Sequence, residues 1–486
     1  MVSFPRLVGL AVVAGALLGG PQDVDGRLIL PTEMALQAFR HRATGGSDSL
    51  ATKISGYFQG SGFPLAGRSL QQKIRETEAF LAREIPKSGI VGTGVAVVYK
   101  DKVVLANGYG LRSATNASSH VSADSMFQIG SVTKTMLGVA IGLLVEERKL
   151  TWRDPVKKHL PWLKLFDKYA EQHVTIGDLL AMNSGFGATP DVADVAGNFS
   201  TERVFVEALA NCEPEYSLRE TPEYANVNFV ILGQLIESVT GTPWYTFLRD
   251  RIWKPLGMDH TFASAQEVPE ALRKEALNDG HFACDGEELI GPYDVATAPE
   301  MQLSPTRISG YDAAGSVVSS AADMATFLRL ILNKGRVGNV TLLQSPSTIA
   351  EMITGKVLAS GEVMTFFEKM GFHYEPDGAT VSAGYAVDII GSVLWGHAYF
   401  DKSGDVMAHQ TRTGFLPAQQ LAVIFMGNTQ LLYVATLSEA NVTAKVFISQ
   451  GTPIILPLVA TSTADGSFTI NLGVDYVKTE AAKSLQ

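Results

Sequence analysis

Cysteine is scarce in this chain: Cys212 and Cys284 are the only two in 486 residues. Two thiols exclude a scaffold built from disulfides and any cysteine-based zinc site of standard form. In an oxidising compartment they would pair, and in the cytosol they would be two buried thiols. Charge is sparse too. Charged residues make up 18%, with 39 Lys and Arg against 49 Asp and Glu for a net charge of -10, and no basic run stands out. A chain of this balance lacks the cationic face that nucleic acid or an anionic membrane requires. The N-terminal apolar stretch Leu7 to Leu18 is too short to span a bilayer. Against these absences stands a hydrophobic content of 46%. That content and length support a large core, in two or three domains or one composite domain.

Met1 to Arg6, the apolar stretch, and then Gly19 and Gly20 follow the order of a secretory signal peptide over residues 1–20. Sequons begin at Asn116, Asn198, Asn339 and Asn441, as a secreted glycoprotein would carry. The expectation is a secreted, extracellular protein in which Cys212 and Cys284 pair. Its oligomeric state is not readable.

Residues 21–68 mix glycine and serine clusters with short apolar pieces and form an unassigned N-terminal extension. From Ser69, a possible cap, the residues Leu70, Ile74, Leu81 and Ile85 mark one helix face that Pro86 ends. Val91 to Tyr99 and Lys102 to Tyr109 read as a hairpin turning at Lys100-Asp101. Residues 132–335 are largely helical in pattern, including Thr175 to Met182, Asn228 to Thr240 and Ala321 to Leu332. Strands return near 380, at Val393 to Asp401, Gln410 to Leu416 and Leu421 to Met426. The plan is α+β: an antiparallel sheet drawn from both ends of a unit spanning 69–430, flanked by helices, with a mainly helical region inserted and a cleft between the two parts. Residues 431–486 form a C-terminal extension with β-like runs at Pro453 to Ala460 and Gly466 to Leu472 and a charged helical tail.

Ser131-Val132-Thr133-Lys134 opens a segment that is apolar almost all round, Met136 to Leu144. Serine and lysine three apart share a helix face, so the amine reaches the hydroxyl. Burial favours the neutral amine, and a helix N-terminus favours developing negative charge, so the lysine can accept or relay the serine proton. The spacing alone is common; a surface serine is the bland reading. Two further elements raise its weight, Tyr224-Ala225-Asn226 and Lys402-Ser403-Gly404. Lys87-Ser88-Gly89 has the third pattern but precedes the serine, and is read as a decoy.

With these motifs in order, the chain resembles the serine β-lactamase and penicillin-binding-protein superfamily. The resemblance is to the class C β-lactamase-like branch, with its carboxylesterase, D-aminopeptidase and acyltransferase (transesterase) relatives. It covers about Ser69 to Thr429. It extends to Leu150-Thr151-Trp152-Arg153-Asp154-Pro155, Val174 to Leu180 leading to Ser184-Gly185, Pro255-Leu256-Gly257-Met258, and Ser319 to Met324. It implies a β-lactamase/transpeptidase-like fold and an acyl-enzyme mechanism without cofactor or metal.

In that reading Ser131 attacks an ester or amide carbonyl, and Tyr224 and Lys134 share its proton. Lys402 supplies the field that keeps Tyr224 basic, since a phenol between two ammonium groups is stabilised as phenolate. Asn226 orients Lys134 or a substrate carbonyl. The resemblance implies an oxyanion hole of the Ser131 and Asp405 backbone N–H groups, with Ser403 and Gly404 lining the substrate strand. His397 competes with Lys402 for the third-motif role; Lys402 is preferred because Ser403-Gly404 follow it and Pro417 ends the next strand. His409 is expected on the strand after the site.

Asp405 departs from the pattern, because a carboxylate after the glycine would repel the carboxylate of a β-lactam. This favours a carboxylesterase or amidase acting on a neutral small-molecule ester or amide. A β-lactamase, a D-aminopeptidase or DD-peptidase, an acyltransferase and a catalytically silent binding protein remain as alternatives.

Overall fold

The computed structural model describes residues 69–187, 190, 199–284, 288–298, 312–358, 381–394, 397–406, 408–439, 442–449, 458–462 and 468–472. The signal-peptide reading, the extension to residue 68, the sequons at Asn198 and Asn441 and the charged tail lie outside them.

Helix α1 (Leu70–Glu84) starts where the sequence places it. The Ser69 hydroxyl accepts from Gln72 N while the Gln72 side chain accepts from Ser69 N, a reciprocal cap. Its buried face carries Thr77, Phe80 and Leu81, whereas Leu70, expected on that face, is exposed. Strands β1 (Gly92–Tyr99) and β2 (Lys102–Gly110) form the expected hairpin. Lys100 and Asp101 both take positive φ, 47° and 60°, as a two-residue turn matched to strand twist requires.

Strand β3 (Met126–Gln128) leads into α2 (Val132–Glu146), in which every residue from Val132 to Leu144 is buried. Helix α3 (Val227–Thr240) follows and is apolar over most of its surface, as a helix inside a large core must be. The middle of the chain is less uniformly helical than its pattern implies. Strands β4 (Gly280–Cys284), β5 (Glu288–Tyr293) and β6 (Val318–Ser320) interrupt it before α4 (Ala321–Leu332). The rest of the chain holds β7 (Val357–Leu358), β8 (Ser382–Gly384), β9 (Val387–Leu394), β10 (His397–Asp401), β11 (Ser403–Val406), β12 (His409–Leu416), β13 (Leu421–Gly427), β14 (Thr429–Glu439) and β15 (Val442–Ser449). Two short strands, Leu458–Ser462 and Phe468–Leu472, pair with each other. Val393 to Asp401 is thus not one strand: the chain reverses between Leu394 and His397, whose residues pair.

The main sheet runs β2-β1-β13-β12-β10-β9-β8-β7, with β11 also paired to β12, and every pairing is antiparallel. The central pair β1 and β13 joins strands from opposite ends of the unit, in register from Thr93 with Gly427 to Tyr99 with Leu421. Helix α4 packs on this pair, and α2 packs on α3 and reaches β11, so the core lies between sheet and helices. This is the β-lactamase/transpeptidase-like α+β arrangement. Strand β14 runs through the expected boundary at residue 430 into a second sheet of order β15-β14-β4-β5. Asn428 joins the two sheets: its Oδ1 accepts from Gly92 N, its Nδ2 donates to the Leu111 and Arg112 carbonyls, and its own carbonyl accepts from His281 N.

Cys212 is buried in the core. The side chain of Cys284 lies outside the described set, and the expected pairing with it. Asn116 and Asn339, two of the sequon asparagines, are exposed.

Candidate active site

Three segments converge at the start of α2. Ser131 occupies the cap position of that helix and is partly exposed, while Lys134, one turn on, is fully buried. Lys134 Nζ donates to Ser131 Oγ at 2.9 Å, to Asn226 Oδ1 at 2.7 Å and to the Ala314 carbonyl at 2.7 Å. A buried ammonium with three donors is expensive to strand, and here each donor meets an oxygen. Tyr224 Oη lies 2.6 Å from Ser131 Oγ, on the segment that leads into α3. Lys134 Nζ also stands 5.1 Å from the Tyr224 ring centre and 5.5 Å from that of Phe229. The local support is a buried bond from Ser184 Oγ to Asn228 Oδ1 at 2.7 Å, which ties the Ser184-Gly185 turn to α3.

Lys402 sits at the interruption between β10 and β11, and the break is closed by Thr413. Its hydroxyl accepts from Lys402 N at 3.1 Å and donates to the Lys402 carbonyl at 2.9 Å. The side chain is buried and carries its Nζ to 5.0 Å from the Tyr224 ring centre. Ser131, Lys134, Tyr224, Asn226 and Lys402 therefore share one locus.

Gly404 and Gly130 let two backbone segments meet beside the serine. A Cβ at Gly404 would overlap the Ile129 carbonyl and lie 2.9 Å from Ser131 N; one at Gly130, whose φ is +54°, would lie 2.7 Å from Asp405 N. The Gly130-Ser131 and Gly404-Asp405 backbones thus lie in close contact, which brings the Ser131 and Asp405 amides near each other. Ser403 is half-buried and stands opposite Arg412 in the β11–β12 ladder.

Two acidic side chains change the electrostatics expected from sequence. Asp388, on β9, receives Lys402 Nζ at 2.6 Å on each carboxylate oxygen. Lys402 is therefore not a bare cation beside Tyr224. Its pKa is raised: burial lowers it, and the Asp388 charge and hydrogen bond, with the Tyr224 and Asp401 charges, outweigh that. Asp405, expected to repel a substrate carboxylate, is held by Arg412, Nη1 and Nη2 each 3.0 Å from one of its oxygens. This two-point pairing offsets the carboxylate's charge on the protein side and weakens the repulsion expected at that position.

Sequence reasoning missed Asp388, Arg412, Thr413 and the Ala314 carbonyl. Asp388 had a signal, a lone acid inside the apolar run Ala386 to Ile390. Behind the pair lies Asp401, buried, accepting from Tyr399 Oη at 2.9 Å, its pKa pushed up to about 7 by burial and then by the Asp388 charge.

His409 lies on β12, as expected, and is fully buried. Its Nδ1 accepts from Gln128 N at 2.9 Å and its Nε2 faces the Asp279 carbonyl at 3.1 Å. Burial lowers its pKa to about 4, so it is a neutral structural group. The His397 side chain lies outside the described set. Lys87, the decoy, is an exposed residue just after α1, within 3.5 Å of Glu84.

The fold is of the β-lactamase/transpeptidase-like class, and the sequence comparison agrees. The family model described as Beta-lactamase matches residues 70–440, and the chain belongs to that family. It is similar to protein flp of Staphylococcus aureus (strain N315), 27% identical over 303 residues, covering 62% of this chain and 57% of that protein. It is also similar to the unguisins hydrolase ungD' of Aspergillus campestris, 29% identical over 257 residues, covering 50% of this chain and 44% of that protein. The matches span about half the length of these relatives. Among solved structures, the octameric penicillin-binding protein homologue from Pyrococcus abyssi superposes with a TM-score of 0.58 at 22% identity, covering 73% of each chain. A D-stereospecific amidohydrolase from Streptomyces sp. superposes with a TM-score of 0.52 at 23% identity, covering 71% of this chain and 92% of that one. These two likenesses concern the fold. No helix among the described residues is long and apolar enough to cross a membrane.

Proposed function

We propose that this protein is a serine hydrolase that cleaves small-molecule esters or amides through an acyl-enzyme on Ser131. The observation that carries the reading is the placement of Ser131 Oγ within 2.6 Å of Tyr224 Oη and 2.9 Å of Lys134 Nζ. A partly exposed hydroxyl held at hydrogen-bond distance by a phenol and an amine has two groups beside it that can take its proton once they are deprotonated. Tyr224, as phenolate, takes the Ser131 proton as Oγ adds to the carbonyl, and returns it to the leaving alcohol or amine. Lys134, hydrogen-bonded to Oγ and steadied by Asn226, shares that proton with Tyr224. The Ser131 and Asp405 amides receive the oxyanion, and water then releases the acyl group.

A fluorophosphonate probe tests this directly. Labelling should add one probe mass to a peptide containing Ser131, and Ser131→Ala should abolish it. Labelling elsewhere, or equal labelling of the variant, overturns the reading. An added alcohol that captured the acyl group faster than water would shift the reading to acyltransferase.

The secretory reading belongs to the same proposal and is supported by the exposed sequon positions Asn116 and Asn339. A mass decrease on endoglycosidase treatment of protein secreted by a eukaryotic host is the expected result, and retention in the cytosol without glycan is the contrary one.

A further inference from the structure

Lys402 is the cation nearest Tyr224 on the sheet side of the site, and its ammonium is already committed. Both of its side-chain hydrogen bonds among the described residues go to Asp388, one to each oxygen, at 2.6 Å. The lysine side chain is 3% exposed and the Asp388 side chain 29%, so the acid, not the base, is the partner open to solvent. The second cation on this side, Arg412, is likewise spent on Asp405, at 3.0 Å through both terminal nitrogens. Asp401 lies behind and adds no positive charge.

From this we infer that Asp388 is a selectivity residue, which makes the enzyme discriminate against acyl substrates that carry a carboxylate close to the scissile bond. The inference rests on the proposed function and narrows its substrate class to esters and amides uncharged beside the reacting carbonyl. Its physical basis is simple. An incoming carboxylate gains little from an ammonium that is already bidentate with another carboxylate, and it is repelled by that partner in a partly desolvated cleft. Replacing Asp388 by an uncharged isostere removes the one carboxylate that hydrogen-bonds the buried lysine among the described residues. A substrate carboxylate then becomes the group that completes the pair.

The test uses matched aryl acetates, 3- and 4-acetoxybenzoate and their methyl esters, which deliver the same acetyl group and differ in the charge of the leaving group. Wild type should favour the methyl ester in kcat/KM by about tenfold or more. Asp388→Asn should cut that preference by about tenfold, chiefly through a lower KM for the carboxylate, while Asp388→Glu keeps it. No preference in wild type, or the same preference in Asp388→Asn, overturns the inference. Should Asp388→Asn not fold, raising salt from about 0.05 to about 0.5 M on wild type should narrow the preference by screening. A preference indifferent to salt then counts against it. Fluorophosphonate labelling is read in parallel: a protein that labels at Ser131 but shows no charge discrimination sinks only this inference, whereas absence of labelling sinks the acyl-enzyme itself.

Discussion

Two lysines are buried at the site, and their surroundings differ. Lys134 donates to a hydroxyl, an amide oxygen and a peptide carbonyl, all uncharged. Lys402 donates twice to one carboxylate. A cation whose acceptors are neutral can trade its proton with the hydroxyl it touches, because neither state leaves a bare opposite charge behind. A cation locked to a carboxylate is a fixed charge, because losing its proton would strand the acid. One lysine is placed to move a proton and the other to set a potential.

Arginine substitution separates these roles, since guanidinium keeps the charge and gives up no proton. The largest effect should come from the nucleophile, with Ser131→Ala lowering kcat by about 10⁴-fold or more in an ester assay. Lys134→Arg should cost about 10³-fold, and Lys402→Arg only about tenfold, in kcat/KM measured under the same conditions. Equal losses at the two positions would erase the distinction. Tyr224→Phe should lower kcat by about 10²- to 10⁴-fold with little change in KM, read by steady-state kinetics.

A further prediction concerns stability at the Lys402 end. Asp401 is pushed from 3.8 up to about 7, so between those values the folded state holds a proton that the unfolded state has lost, and the group's contribution falls as pH rises through that window. Asp401→Asn removes this slope. Its stability relative to wild type should therefore increase by on the order of 1 kcal/mol per pH unit across the window and level off above it, by urea unfolding. A pH-independent difference would show that burial does not perturb this acid.

Much of the architecture was legible because it is written locally. The Lys100-Asp101 turn, the Ser69 cap and the apolar belt from Val132 to Leu144 each declare themselves within a few residues. Other matched segments turn out to be local supports. Thr175 and Asp178 cap each other, and Ser320 caps α4 through Asp323 N. Asp323 in turn holds His260 N and the Thr261 hydroxyl. What failed was non-local. Leu70 fits the helix period, but Thr77 and Phe80 occupy the packed face instead. The reversal between Leu394 and His397 is hidden among β-rich residues that read as one continuous strand. The charge state of the site depended on Asp388 finding Lys402 and Arg412 finding Asp405, and pattern reading supplies no partner for an isolated charge.

Asn428 has a practical consequence for anyone trimming this protein. One buried amide side chain and its carbonyl tie the first residue of β1, the turn after β2 and the start of β4 to the end of β13. A fragment cut just before that residue would keep every group around Ser131 and still lose the latch that seals the lower rim of both central strands. Shortened versions should therefore be designed to retain it, together with the stretch of β14 that grips β4.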